Sequence, residues 1–328
     1  MAYVDMKDAE RQFRQERKAS TIPNDIVTED SAAIQFVEER GDDLRYCHET
    51  GGWYRWNVTH WERDKTGVAF HWARTLARRL SENQDERKRY ITNKTSFASG
   101  VEKYAKTDPK IAVTMDHWDA DPWLLGTPGG TVDLRTGLLR DSDRFDGITK
   151  TTSIAPGEAG CPRWLRFLNE TTGDDGELVR FLQQWCGYCL TGTTREHALV
   201  FVYGPGGNGK SVFLNVVNAI LNDYAKTAGM ATFTASKFDR HPTEIAMLNG
   251  ARLVTASETE EGRPWAEARI KQLTGGDPIT AHFMRQDDFT FVPQFKLTIV
   301  GNHKPTLHNV DDAARRRFNI VPFMRKPE

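Results

Sequence analysis

The sequence predicts an α/β fold in which a parallel sheet carries helices on both of its faces. Two observations predict it. In the C-terminal part, short and continuous apolar runs alternate with helical segments, as strands buried on both faces of a parallel sheet require. The first of these runs leads through a glycine-rich loop directly into a helical segment. The apolar runs are ALVFVY, ARLVTA and FKLTIV, and a fourth, FNIVPF, follows near the end.

The residues before this sheet divide into three further parts. Residues 1–30 are predicted to form a charged helical lead-in, and residues 31–155 a mixed α+β accessory domain with short strands around glycine turns. A stretch containing Pro and Gly, SIAPGEAGCP, then precedes two helical patterns. We therefore assign residues 156–195 to a helical connector and residues 196–328 to the sheet domain.

Composition and charge limit the classes of function. The 328 residues hold 44 Lys and Arg against 45 Asp and Glu, so the net charge is -1 and any nucleic-acid site must be local. Residues 263–328 carry 11 Lys/Arg and 7 Asp/Glu, which places the expected basic surface near the C-terminus. Four cysteines are too few for a disulfide scaffold of this length. The charged first twenty residues and the lack of an apolar run near ~18 residues predict a cytoplasmic protein.

The most specific motif is GPGGNGKS, which fits G-x-x-x-x-G-K-[ST] between a strand pattern and a helix pattern. Glycines let successive backbone N–H groups surround phosphate oxygens, and the following helix directs its positive end at them. Lys210 is then expected to contact the β- and γ-phosphates, and Ser211 to ligate Mg²⁺. The alternative is an ordinary glycine-rich turn. The predicted nucleotide-binding residues are Gly204, Pro205, Gly206, Gly207, Asn208, Gly209, Lys210 and Ser211.

Polar side chains follow two later strands of the predicted sheet. Glu258 ends the ARLVTA strand, where a general base belongs in an open α/β sheet, and we expect it to polarise the attacking water. Asn302 follows the FKLTIV strand and could hydrogen-bond the γ-phosphate or that water. The alternatives are a solvated strand-end carboxylate and a turn residue.

Three adjacent arginines precede the last strand in DDAARRRF. We expect Arg316, Arg317 or both to reach the nucleotide of a neighbouring subunit and neutralise charge that builds on its γ-phosphate. This interpretation requires an oligomer. The alternative is a solvated sheet edge.

A hairpin is predicted over residues 275–292, with ITAHFM and FTFV as its two strands and RQDD as the turn between them. Cationic and aromatic groups on such a hairpin could contact the phosphates and bases of a single strand. The candidate contacts are Lys271, His282 and Arg285. The alternative is a surface hairpin with phenylalanines facing the core, which are Phe283, Phe289 and Phe291.

Two further patterns are interpreted as packing. Cys186 and Cys189 have the spacing of a redox or zinc pair, but no second pair accompanies them and a closed zinc site needs four ligands. Trp53, Trp56 and Trp61 could stack on bases, and burial in a small sheet is the favoured interpretation.

Five motifs follow one another along the chain: GPGGNGKS, LVTASE, LTGGDPITA, IVGNHKP and DDAARRRFNIVPF. Their order resembles that of the superfamily 3 helicases, and most closely that of the helicase part of phage and plasmid primases. The resemblance covers roughly residues 160–328. It implies an AAA+ type ATPase that forms a ring, usually a hexamer, and pulls single-stranded DNA through its pore with ATP and Mg²⁺. Upstream, HETGGWYRWNVTHWERD and DPWLLGTPGGTVDLRTGLL are similar to the accessory domain before this helicase in poxvirus and phage relatives.

The resemblance also implies roles for single residues. It makes Lys210 part of the nucleotide site, Glu258 the catalytic acid, Asn302 the sensor, and Arg316 with Arg317 the arginine finger. It further implies action on single-stranded or replication-fork DNA of a phage, plasmid or integrated element, in the bacterial cytoplasm or a phage-infected host. A separate primase or replication initiator is an expected partner.

The sequence departs from the family pattern in three ways. Ser257 stands where many such motors have a first acidic residue, so Mg²⁺ is expected on Ser211, phosphate oxygens and water. No primase-type polymerase domain is evident upstream. The family commonly continues into a winged-helix-like segment, whereas this sequence ends at Glu328, which leaves truncation or a separate partner open. Two other functions also stay open: a phosphoryl-transferring kinase and a DNA-loading scaffold that nucleotide stabilises.

Overall fold

The structure is a computed structural model. It describes residues 27–235, 243–257, 265–282, 288–303 and 312–326. The chain divides into two compact units, Met1–Ala120 and Asp121–Glu328. Most of the predicted lead-in lies outside the described residues. Among the helices of the described ranges, none has the length and apolar character needed to cross a membrane.

The first unit is an α+β structure, as predicted. Its sheet has four strands in the order β3-β2-β1-β4, antiparallel except for the parallel pair β1 and β4. The strands are β1 Leu44–Cys47, β2 Gly52–Trp56, β3 Trp61–Arg63 and β4 Ala112–Val113. The helices are α1 Glu29–Arg40, α2 Val68–Ser81, α3 Glu86–Thr92 and α4 Thr95–Ala105, and a 3₁₀ turn spans Met115–His117.

The helices of the first unit form because their apolar residues recur on one face. In α2, Ala69, Ala73, Leu76 and Ala77 are buried, which is the spacing of a helix that covers a core with one side. Trp53 and Trp61 are also buried in this unit. For these two tryptophans, the packing interpretation is therefore confirmed.

The second unit is built on a five-stranded parallel sheet, which confirms the predicted sheet. Its order is β14-β8-β13-β10-β9, and every neighbouring pair is parallel. The strands are β8 Leu199–Tyr203, β9 Ala225–Thr227, β10 Leu253–Ser257, β13 Lys296–Gly301 and β14 Phe318–Pro322. The helices are α5 Pro162–Thr172, α6 Gly176–Leu190, α7 Lys210–Leu221, α8 Thr243–Ala246, α9 Glu267–Gly275 and α10 Asp312–Arg317.

Apolar cores cover both faces of this sheet. Side chains alternate along a strand, so Val200 and Val202 of β8 pack in one core while Leu199 and Phe201 pack in the other. Helices α5, α6 and α7 contribute to the first core, and α8 and α9 to the second. This two-sided burial explains why the strands are continuous apolar runs in the sequence.

A second, three-stranded sheet also belongs to this unit. It comprises β5 Leu124–Thr127, β6 Gly130–Asp133 and β7 Leu138–Arg140. Leu125 and Val132 pack in the core formed with α5, α6 and α7. Compact packing therefore assigns residues 121–155 to the second unit.

Arg252 connects three elements of the second unit from a fully buried position. Its guanidinium donates to the carbonyl oxygens of Leu190 at 2.5 Å and Leu124 at 2.6 Å, and lies 4.5 Å from the ring centre of Tyr224. The side chain is 2% exposed. Arg252 thus joins the end of α6, the start of β5 and the start of β10.

We expect Arg252→Met to lower the free energy of unfolding by about 3 kcal/mol, because two carbonyl oxygens lose charged donors in a poorly hydrated region. Urea denaturation followed by circular dichroism measures it. Arg180→Met, at an exposed position of α6, is the matched control and should change stability by less than about 0.5 kcal/mol. Equal effects of the two substitutions would contradict the role given to Arg252.

Candidate functional site

The GPGGNGKS loop, residues 204–211, which we call the phosphate loop after its sequence motif, joins β8 to α7 at the carboxyl edge of the five-stranded sheet. Strand β8 lies between β13 and β14 in the sheet. After β8 the chain forms β9, β10 and β13 on one side of β8, and it then crosses to the other side to form β14. The strand order therefore reverses at β8. Open α/β sheets bind ligands at such a reversal, outside the carboxyl ends of the strands. The most specific motif of the sequence thus lies at the position that the topology favours for a ligand.

Glycine is required at two positions of the loop by backbone geometry and close packing. Gly204 has a φ of +155°, and a Cβ there would collide with the carbonyl of Phe323. Gly209 has a φ of +85° and caps the start of α7, where a Cβ would stand 2.7 Å from Cε2 of Phe167. The spacing of the motif therefore corresponds to positions that only glycine occupies without strain.

Lys210 is buried at the start of α7 and its amine faces the loop. Nζ donates to the carbonyl oxygens of Gly204 and Pro205, the latter at 2.9 Å, and to Oδ1 of Asn208 at 2.9 Å. Burial lowers the pKa of this amine. Asn208 is 1% exposed, and its amide donates to the carbonyl oxygen of Phe323. Lys210 therefore holds the loop together from inside, and Asn208 fixes the loop against the residue that follows β14.

The ends of the neighbouring strands meet the loop at the same edge. Gly301 closes β13 beside Tyr203, and its carbonyl oxygen accepts from the N–H of Gly204 at 3.4 Å. Asn302 comes next and is exposed, so the predicted sensor is adjacent to the loop. Ser257 ends β10 level with Val300 and is also exposed. The predicted acid, Glu258, lies outside the described residues.

Ser211 is an exposed residue in the first turn of α7, directly after Lys210. A hydroxyl oxygen next to phosphate oxygens is a ligand set that Mg²⁺ accepts, usually with several waters. The residues present therefore fit a magnesium–nucleotide site. Within the described ranges, no group of three or more His, Cys, Asp or Glu side chains is arranged to hold a metal.

The arginines lie at the opposite edge of the sheet from the loop of the same chain. They end α10, and the next residue, Phe318, pairs with Leu199 at the amino end of β8. The five residues of β8 separate the two edges by about 16 Å at ~3.3 Å per residue. Arg316 is exposed and lines a cavity of about 350 Å³ together with Trp185 and Tyr188, whereas Arg317 is half-buried.

The predicted hairpin is present as β11 Ile279–Ala281 and β12 Phe289–Phe291, which pair antiparallel. Phe291 is buried and Phe289 packs against the same core, so the core-facing alternative holds for these two rings. His282 pairs through Nδ1 with Oδ1 of Asp288 at 2.9 Å. Lys271 is half-buried on α9, and Arg285 lies outside the described residues. The grouping of these three residues as nucleic-acid contacts therefore stays a prediction.

Lys326 is a cation near the loop that the sequence analysis did not select. A Cβ built on Gly207 would lie 3.6 Å from Cε and 3.9 Å from Nζ of Lys326. Lys326 follows β14, and the N–H of Phe323 donates to the carbonyl oxygen of Tyr203 at 2.7 Å, which aligns the two strand ends. Only the parallel pairing of β14 with β8 brings this lysine to the loop, and no local motif indicates it.

Cys186 and Cys189 are free thiols that pack in the core, as predicted. Cys189 is buried and Cys186 half-buried, and both belong to the core under α6. Burial raises the pKa of the Cys186 thiol to about 11 and that of Cys189 further. Neither thiol is a thiolate near neutral pH, so redox chemistry is disfavoured here.

Comparisons with known proteins cover both parts of the chain. The family described as "D5 N terminal like" matches residues 33–173, and a family of unknown function (DUF5906) matches residues 202–317. "Putative helicase L207/L206" of Acanthamoeba polyphaga mimivirus is 27% identical over 244 residues, 71% of this chain and 25% of that protein. "Primase D5" of fowlpox virus is 25% identical over 159 residues, 46% of this chain and 20% of that protein.

A solved structure, the A form apo structure of the NrS-1 C terminal region, matches with a TM-score of 0.56 at 9% identity. The match covers 92% of this chain and 63% of that chain, and at this identity it shows a shared fold. This chain spans only a fifth to a quarter of the length of the two viral relatives. The matches confirm the resemblance found in the sequence: the chain is related to viral proteins named as a putative helicase and a primase, and its residues 33–173 match the D5 N terminal like family.

Proposed function

We propose that the second unit is an AAA+ type ATPase and that the chain is an ATP-driven DNA helicase or translocase acting in replication as a ring-shaped oligomer, most simply a hexamer. The observation that carries this proposal is the phosphate loop at the carboxyl edge of β8, where the strand order reverses. Relatives named as a helicase and a primase support it.

The loop residues would bind and orient the phosphates of ATP. Backbone amides of the loop and the amino end of α7 favour negative charge. Lys210 would exchange the carbonyl oxygens of Gly204 and Pro205 for phosphate oxygens, because its amine already lies inside the loop. Ser211 would help to hold Mg²⁺, which when bound would neutralise part of the negative charge on the phosphoryl group.

Residues at the ends of the next two strands would act on the attacking water. Asn302 is exposed beside the loop, where its amide could orient this water or contact the γ-phosphate. We assign Glu258, directly after β10, to polarise the water. Ser257 provides a hydroxyl in place of a carboxylate, so Ser211 remains the proposed protein ligand of the metal.

The position of the arginines supports a site shared between subunits. Because about 16 Å of strand separates them from the loop of their own chain, Arg316 or Arg317 would serve the nucleotide of a neighbour. The greater exposure of Arg316 favours it as the finger. A monomeric kinase would need neither arginine, which separates the two functions.

DNA is the proposed substrate, with the hairpin of β11 and β12 directed at a single strand. Lys271, His282 and Arg285 are its proposed contacts. A separate primase or replication initiator is a proposed partner, and we propose the bacterial or phage-infected cytoplasm as the place of action.

Single-stranded DNA is expected to stimulate phosphate release from ATP several-fold in the assembled protein, as coupling of a motor to its track requires. Phosphate release with and without an oligothymidylate measures it, and a strand-displacement assay tests unwinding. A ring that hydrolyses ATP at one rate with and without DNA would contradict the helicase function. A ring that releases no phosphate would instead favour the nucleotide-stabilised scaffold.

A further inference from the structure

A basic groove lies in the first unit, and none of the residues to which a role is given above lines it. It is a cavity of about 400 Å³ between α2, α3 and the start of α4. The polar residues that line it include Arg74, Arg78, Glu82, Arg89, Asn93 and Lys94. Four cations thus face one carboxylate in a chain whose net charge is -1.

The arginines of the groove are not committed to ion pairs. Among the residues that the structure describes, no carboxylate lies within ion-pairing distance of Arg74, Arg78 or Arg89, and all three are exposed. Arg79, on the same helix, differs because it pairs with Glu39. Because these exposed cations outnumber the single carboxylate of Glu82, they concentrate positive potential on the cavity.

The geometry of the groove is fixed by hydrogen bonds beneath the charges. Nδ2 of Asn93 donates to Oγ of Ser81 at 3.0 Å and to the carbonyl oxygen of Arg89 at 3.0 Å, which ties the end of α2 to α3. Thr92 is buried and donates to the carbonyl oxygen of Lys88 at 3.0 Å. The groove is therefore part of the packed unit.

Two features favour a nucleic-acid strand over a single small anion. Arg74 and Arg78 are one helical turn apart, about 6 Å along the axis, which lets them contact separate phosphates. Tyr90 is 68% exposed beside the groove, and Nζ of Lys94 lies 4.6 Å from the centre of its ring. An exposed aromatic ring next to clustered cations is the combination that binds single strands by stacking and phosphate contact.

We propose that this groove binds the phosphate backbone of single-stranded DNA, with a base stacked on Tyr90. The choice of DNA rests on the proposed function, whereas the groove itself belongs to a different unit from the phosphate loop. Binding can therefore be measured without nucleotide, and ATP hydrolysis can be measured without DNA.

The test measures binding of a fluorescein-labelled oligothymidylate to the full chain by fluorescence anisotropy, without nucleotide and over a series of salt concentrations. The groove variant combines Arg74→Gln, Arg78→Gln and Arg89→Gln. The control variant removes three exposed charges of the same unit that do not line the groove, by Lys65→Gln, Arg87→Gln and Lys103→Gln. Both variants change the net charge by the same amount.

We expect the groove variant to bind the strand at least about tenfold more weakly near 0.15 M salt. The slope of log affinity against log salt should also be shallower by about 2, because each of the three lost phosphate contacts lowers the slope by ~0.7. The control variant should stay within about threefold of the wild-type chain. Tyr90→Ala should weaken binding by about fivefold or more without changing the salt slope, because it removes stacking but no charge.

Equal losses in the groove and control variants, or no loss in the groove variant, would overturn the proposal. Displacement of the labelled strand by poly-aspartate at equal charge concentration would also overturn it, because the groove would then be a general polyanion site. ATP hydrolysis without DNA, measured on the same groove variant, should equal the wild-type rate. A chain that hydrolyses no ATP but loses DNA affinity in the groove variant would refute the proposed function and leave the groove intact.

Discussion

Lys210→Ala is expected to lower the rate of ATP hydrolysis at least about a hundredfold while the chain stays folded. The amine is the one cation inside the phosphate loop motif, and it is already positioned there by three oxygen acceptors of the loop. Removing a preorganised donor to the developing charge of a transition state costs about 10²–10³ in rate. Phosphate release under saturating ATP measures the effect.

The control for this substitution is Lys226→Ala, which removes an exposed lysine of β9 in the same sheet. It should hydrolyse ATP at close to the wild-type rate, and both variants should show wild-type circular dichroism. Hydrolysis by the Lys210→Ala variant within about threefold of wild type would contradict the assignment of the loop as the nucleotide site.

Arg316→Ala is expected to reduce ATP hydrolysis by about a thousandfold in the assembled protein, with little effect on nucleotide binding. An arginine finger contributes about 10³–10⁵ to the rate of phosphoryl transfer because it neutralises charge that exists only in the transition state. Nucleotide affinity should persist, since the loop of the same chain is unchanged. Steady-state hydrolysis and binding of a fluorescent nucleotide analogue measure the two quantities.

Arg315→Ala is the matched control, because Arg315 is an adjacent and exposed arginine on α10. It should retain most of the wild-type rate. If the two substitutions reduce hydrolysis equally, the arginines act as a general basic surface, and the specific role of Arg316 is wrong. The half-buried Arg317 would be the finger if only its alanine variant lost the rate.

The sheet and its loop could be predicted because their signals are local. Strands buried on both faces must be apolar along their whole length, so β8, β10, β13 and β14 are visible as continuous runs. The spacing of Gly204 and Gly209 follows from backbone angles and close contacts that exclude other residues. These requirements act within a few residues and therefore leave a pattern in the sequence.

The remaining features depend on contacts between distant residues. Arg252 joins β10 to the carbonyl oxygens of Leu124 and Leu190, which places the division of the units before the three-stranded sheet. Lys326 reaches the loop only through the pairing of β14 with β8. No periodicity or spacing in one segment indicates such contacts.

The basic groove was missed for a related reason. Residues 68–98 contain seven Lys and Arg against three Asp and Glu, an excess as large as that of residues 263–328, where the sequence predicts the basic surface. The charges are spread over three helices, so only their packing shows which cations share one cavity and which, like Arg79, are paired.

The central claim is that two chains build each ATP site, and a mixing experiment tests it most directly. Chains carrying Lys210→Ala keep their arginines, and chains carrying Arg316→Ala keep their loops. When equal amounts are mixed and reassembled, about a quarter of the interfaces should pair an intact loop with an intact arginine, and hydrolysis should recover to that order. A mixture that stays as inactive as its separate components, although mass measurements show mixed assemblies, would contradict the shared site.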